Sequence, residues 1–303
     1  MMEVLARPLT VVAHDAGAAN HIFAWLGCEK PTLCLGGPAL ALWQTHLQKT
    51  GVGSGLSPFS ESGLTAALAG AATVITGTGW ESTLEHDARK LAREQGVRTI
   101  AVIDHWTNYA DRFVRNGEQV LPDEIWVSDP YAAEIARAVF TNVTVVQQTN
   151  SYLAGLVTEV ESRQPTAVAQ GNDCVLYVLE PIRNMWGELD EPGEFLALDY
   201  FMENRHRASI ATDAEIRLRP HPSDPPGKYN GWLAFQDYPR VALDRSPSLA
   251  DALAWSNVVA GCQTYAMVLA LACGRTVIST NPAWARPCAL PHQNIIHLSR
   301  INI

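Results

Sequence analysis

The chain alternates short apolar β-type runs with helix-length segments, and it does so twice, on either side of one polar stretch. In the first series the runs are residues 9–14, 32–35, 73–76, 99–104, 124–128 and 143–147; in the second they are 174–180, 215–219, 240–243, 257–260, 276–279 and 294–298. They are continuous in Val, Ile and Leu rather than alternating, which suits strands buried on both faces of a parallel sheet. Helical patterns fill the intervals at 81–95, 130–140, 191–206 and 264–273, with Gly96 and Gly274 as C-terminal stops. The stretch 158–172 lacks periodicity and holds Pro165 and Gly171, so it reads as the linker. The pattern predicts an α/β fold of two Rossmann-like domains, 1–160 and 161–303, with the carboxyl ends of their parallel sheets facing a cleft. A length of 303 residues and an apolar fraction of 47% supply two cores.

Charge and punctuation narrow the function. Lys and Arg total 22 against 31 Asp and Glu, a net charge of −9 that disfavours non-specific nucleic-acid binding. No apolar stretch has the length of a membrane span. Six cysteines (Cys28, Cys34, Cys174, Cys262, Cys273, Cys288) stand singly, which predicts a reducing, cytoplasmic setting. There is no G-x-G-x-x-G, no Walker lysine and no H-E-x-x-H, so neither a dinucleotide cofactor nor a metal is expected.

Unusual polar residues collect after the predicted strands. His14-Asp15-Ala16-Gly17-Ala18-Ala19-Asn20 is a small-residue turn that presents His14 and Asp15; Asp15 is alternatively a helix N-cap. Gly77-Thr78-Gly79-Trp80-Glu81 pairs glycines with a helix start, where Glu81 is a ligand-facing acid or a first-turn acid complementing the helix dipole. Asp104-His105-Trp106-Thr107-Asn108-Tyr109 packs a carboxylate, an imidazole, an amide and two aromatics into six residues, as sugar sites do, unless Trp106 and Tyr109 pack under the sheet and Asp104 caps. In the second series Arg219-Pro220-His221-Pro222 holds an imidazole on a proline-stiffened turn, suited to neutralising a phosphate or present for shape alone. Gly261-Cys262-Gln263-Thr264 precedes a helix, where amides and a hydroxyl can take a phosphate or Thr264 simply caps.

The R-P-H-P turn and the hydroxyl-bearing loop together resemble the donor domain of GT-B glycosyltransferases, most of all those using CMP-activated acidic sugars, the sialyltransferases and Kdo transferases. The segment from Val175 to Pro181 resembles the first strand and loop of that domain. The stretch from Gly77 through Ala136, with Asp123-Glu124-Ile125-Trp126, is similar to the N-terminal domain of non-hydrolysing UDP-N-acetylglucosamine 2-epimerases. The chain departs from these patterns at Leu269, where many nucleotide-sugar enzymes carry a ribose-binding glutamate. Gln263-Thr264 replaces the serine pair of sialyltransferases, and Thr78 stands where the epimerase has an acid.

The resemblance implies an inverting, metal-independent transfer from a nucleotide-activated sugar to an acceptor hydroxyl of a glycan or small molecule. Asp15 is the first choice of base, with Glu81, Asp104 and His105 behind it. Glu180, Arg219, His221, Gly261, Gln263 and Thr264 would hold the donor, and His14, Trp80, Trp106, Asn108 and Tyr109 the acceptor. The alternatives are a nucleotide-sugar 2-epimerase and a non-catalytic sugar- or nucleotide-binding protein.

Overall fold

The computed structural model describes residues 5–27, 29–50, 55–163, 173–235, 238 and 240–301, with side chains 46–50 excepted. Cys28 and most of the predicted linker, residues 164–172, lie outside them. The chain divides into two compact units, Met1–Tyr152 and Leu153–Ile303.

Unit 1 contains strands β1 (Leu9–Ala13), β2 (Thr32–Leu35), β3 (Thr73–Thr76), β4 (Arg98–Val102), the hairpin pair β5 (Val114–Arg115) and β6 (Glu118–Gln119), β7 (Glu124–Val127) and β8 (Thr144–Gln147). Its helices are α1 (Ala16–Leu26), α2 (Gly37–Thr50), α3 (Leu64–Leu68), α4 (Leu84–Glu94) and α5 (Pro130–Val139); α6 (Ser151–Glu161) begins in it. Six strands form one parallel sheet in the order β2-β1-β3-β4-β7-β8. Every residue of β1 is buried, because both faces are covered. Val11 and Ala13 point into a core with Ile22, Phe23 and Trp43 from α1 and α2. Val12, of opposite parity, joins Leu68, Leu84 and Ala88 on the other face. Only the edge strand β8 is half exposed. Asp129 starts α5, accepting the Ala132 amide at 2.8 Å with Pro130 in the first turn.

Unit 2 repeats the plan with β9 (Cys174–Val178), β10 (Glu215–Arg219), β11 (Val241–Leu243), β12 (Val258–Gly261), β13 (Thr276–Ser279) and β14 (Ile296–His297), in the parallel order β11-β10-β9-β12-β13-β14. Helices α7 (Gly193–Asn204), α8 (Asn230–Phe235), α9 (Leu249–Trp255) and α10 (Tyr265–Ala272) connect them. Tyr177, Phe201, Leu218 and Tyr229 centre its core.

The α/β class and the parallel sheets follow the sequence reading. Local boundaries differ: α4 begins at Leu84 rather than 81, and residues 158–161 of the predicted linker continue α6. In each sheet the chain winds outward from its first strand, then crosses to that strand's other side. The loops leaving β1 and β3, and those leaving β9 and β12, therefore diverge at the carboxyl edge, where open α/β sheets bind ligands.

Phe201 is wholly buried in unit 2's core. Replacing it with alanine is expected to cost about 3–5 kcal/mol in urea unfolding. A loss below about 1 kcal/mol would mean that the core closes without it.

Candidate functional site

In unit 1 the loops after β1, β3 and β4 gather three carboxylates around glycines. A β-carbon placed on Gly17 would sit 1.7 Å from an Asp104 oxygen and 3.4 Å from Oδ2 of Asp15. One on Gly79 would meet the Asp15 side chain at 2.6 Å and Oε2 of Glu85 at 3.3 Å. The small residues of both turns are thus what leaves space for the acids.

The three acids differ in how they are compensated. Glu85, 2% exposed, accepts the backbone amides of His14 at 3.0 Å, Asp15 at 3.5 Å and Gly79 at 2.6 Å, lashing the β1 and β3 loops together. Asp104 is ion-paired to Arg112 at 3.2 Å, and Arg112 also bonds the Thr107 carbonyl and the Thr78 hydroxyl. Asp15 takes the N-cap position of α1 but makes no cap hydrogen bond there. Burial raises its carboxyl to about 6, the neighbouring Asp104 and Glu85 charges adding to this while the Ala16 amide and Arg112 oppose it. His105, which follows Asp104 in the chain, is held below its ordinary value by burial, against the pull of Asp104, so its imidazole is neutral at pH 7. His14 lies 3.7 Å from Glu61, its ring against Gly37.

Several expected residues stand elsewhere. Glu81 is exposed and precedes α4, so the acids of that first turn are Glu85, which is buried, and Asp87, which is exposed. Trp80 is half exposed beneath the Arg115 guanidinium. Trp106 and Tyr109 are packed away: the indole Nε1 donates to Asp129 at 3.0 Å, and the Tyr109 hydroxyl donates to the Ala132 carbonyl at 3.4 Å. Their rings face the core and present no acceptor platform. Asn108 is exposed in a left-handed turn (φ 58°), its carbonyl accepting the Arg112 amide. Thr78 is buried, donating to the Val102 carbonyl. Among the described residues no three His, Cys, Asp or Glu side chains are placed to hold a metal ion.

In unit 2 the corresponding edge is tied by Glu180, which accepts the Gln263 amide at 3.0 Å; burial raises its carboxyl to about 7 against that hydrogen bond. The Gln263 side chain accepts the Ala289 amide, and Thr264 caps α10 through Ala266. Gly261 has no room for a side chain because Val178 lies 2.8 Å from where its β-carbon would be. Arg219 is ion-paired with the fully buried side chain of Asp244.

His221 remains available. Its Nδ1 faces the Ser223 amide, a fixed donor, at 3.2 Å, so Nδ1 accepts and the neutral ring carries its proton on Nε2. Its backbone amide donates to Asp224, which also pairs with Lys228 and Tyr229. Sequence reasoning missed Glu85, Arg112 and this Asp224 network, since a charged residue inside an amphipathic helix or turn carries no local signal of burial.

No family profile and no curated protein sequence matches the chain. Solved structures do. The UDP-GlcNAc 2-epimerase of Methanocaldococcus jannaschii is similar with a TM-score of 0.62 at 10% identity, over 95% of this chain and 88% of that one. The UDP-GlcNAc 2-epimerase of Neisseria meningitidis, bound to UDP-GlcNAc, gives 0.58 at 11% identity, over 90% and 82%. The glycotransferase of kitacinnamycin gives 0.53 at 13% identity, over 98% and 88%. The shared property is the fold, two Rossmann-like domains of the GT-B type.

A carboxyl with a raised folded pKa binds more protons folded than unfolded. The stability it confers is therefore full below the unfolded value near about 3.9 and is lost as pH rises through about 6. Asp15→Asn removes that loss, so the variant should be more stable than the wild type by about 1–3 kcal/mol at pH 7.5, the difference vanishing below about pH 4. Urea unfolding at both pH values checks this. A destabilised variant would restore Asp15 to a capping role.

Proposed function

We propose that the chain is a nucleotide-sugar enzyme catalysing inverting glycosyl transfer, with the acceptor on unit 1 and the donor nucleotide on unit 2. The observation that carries this is the Asp15 carboxylate: of the three acids at the β1/β3 edge it is the one held neither by a direct ion pair nor by several amides, only the Ala16 amide bonding it. Raised basicity that outweighs the opposing amide and cation is what a general base requires. Asp15 takes the acceptor hydroxyl proton as that oxygen bonds to the anomeric carbon, while the sugar–phosphate bond breaks and its electron pair leaves with the nucleotide. Nε2–H of His221 and the amides opening α10 stabilise the departing charge. Arg219 acts indirectly, bracing the turn through Asp244. The R-P-H-P turn supports a CMP-linked acidic sugar as donor, and polysaccharide or glycan synthesis as the setting.

A second reading, nucleotide-sugar 2-epimerisation, is favoured by the higher TM-scores to the epimerases, 0.62 and 0.58, than to the glycotransferase, 0.53. Incubating the protein with CMP-, UDP- and GDP-sugars in D2O separates the two. Transfer releases nucleotide only when an acceptor is added. Epimerisation interconverts the sugar without acceptor and places deuterium at C2. Binding with neither outcome would leave a carrier protein.

Asp15→Asn is expected to lower turnover by about 10²–10⁴ with donor affinity kept. His221→Ala should raise the barrier by about 2–4 kcal/mol. Normal turnover of a folded Asp15→Asn would move the base to Asp104 or His105, which Asp104→Asn and His105→Gln then test.

A further inference from the structure

Arg183, on the loop after β9, holds a left-handed backbone (φ 52°), a conformation that disfavours a side chain with a β-carbon. The other non-glycine residues with positive φ are Asn108, Asn116 and Ser209, small polar types that tolerate it better. The arginine is locked there from both sides. Its amide donates to Oε2 of the buried Glu194 at 2.6 Å, and its carbonyl accepts the Gly193 amide at 2.8 Å. Gly193 in turn is pressed against Ile182, whose Cγ2 lies 2.5 Å from where a β-carbon would be.

The same Glu194 ties this loop to the loop that carries His221. Lys228 bridges Glu194 and Asp224, and Asp224 accepts the His221 amide at 3.0 Å. Arg183 and His221 are thus placed by one hydrogen-bonded chain of buried carboxylates and an ammonium. The Arg183 charge is felt at His221, where it joins burial and Lys228 in disfavouring protonation against the opposing pull of Asp224.

The neighbouring cations are already engaged: Lys228 by two carboxylates, Arg219 by Asp244, and Arg217 by Glu215 and the face of Trp255. The Arg183 side chain is exposed, and among the described residues its guanidinium has neither a carboxylate partner nor a hydrogen bond. Strain that the surroundings enforce on a free cation is characteristic of a ligand-binding position.

We propose that Arg183 is a phosphate-binding residue of unit 2, its guanidinium and Nε2–H of His221 forming two donors for the phosphate of one nucleotide ligand. This rests on the reading of unit 2 as the nucleotide half, and it gives Arg183 the role that the R-P-H-P turn suggested for Arg219. A planar guanidinium supplies paired donors to phosphate oxygens, while a neutral imidazole supplies one more.

Calorimetric titration of the full chain with inorganic pyrophosphate, CMP, UDP and uridine tests it, using Arg183→Gly, Arg183→Gln and Arg183→Lys, the UDP outcomes being read on CMP where CMP is the nucleotide that the wild type binds. Glycine accepts the left-handed backbone, so Arg183→Gly should melt no lower than the wild type. Both neutral variants should bind pyrophosphate and UDP about 10-fold or more weakly, with Arg183→Lys between them and the wild type. Any uridine binding should stay unchanged, which a merely structural role would not spare. Pyrophosphate and UDP affinities within about twofold of wild type in folded Arg183→Gly and Arg183→Gln would overturn the proposal alone. If the wild type bound neither pyrophosphate nor any of UDP, CMP and GDP, the nucleotide reading of unit 2 would fall and Arg183 with it.

Discussion

A parallel sheet covered on both faces forces everything else in this protein. Its connections must pass over one face or the other, and each sheet changes face once, beside its first strand. That single reversal parts the loops after β1 and β3, and those after β9 and β12. Parted loops expose backbone amides that need acceptors, and each unit meets the need with a glutamate. Glu85 collects three amides from two loops, and Glu180 collects that of Gln263.

Those glutamates also set the electrostatics. With Glu85 saturated by amides and Asp104 by Arg112, Asp15 is left beside two negative charges in a partly buried turn, and its proton affinity rises accordingly. In unit 2 the logic is inverted. Lys228, Asp224 and Glu194 neutralise one another in the interior and hold the His221 and Arg183 backbones by their amides, which leaves the two side chains outside the ion pairs. One edge thus carries a carboxyl of raised proton affinity, and the other a neutral imidazole and an exposed guanidinium.

The two βα series, the parallel sheets and the turns with Asp15 and His221 were legible because each depends on local pattern: continuous Val and Ile for strands, glycine and proline at the turns. Less legible were residues whose meaning depends on burial. Glu81 and Glu85 are equivalent by composition, and a helix start three residues later than expected decides that Glu85 is the interior one. Trp106 and Tyr109 read as a sugar platform until their polar tips are seen satisfied by Asp129 and the Ala132 carbonyl.

By itself, then, the sequence determined the α/β class, the order of strands along the chain and the loops on which chemistry can sit, since hydrophobic period and turn residues act over a few positions. Tertiary structure alone decided which charges are free. Asp244 lies 25 residues from Arg219 and pairs with it, whereas among the described residues no carboxylate reaches Arg183. Ion pairing and desolvation act through space between segments that the fold brings together, and no spacing within the chain records them.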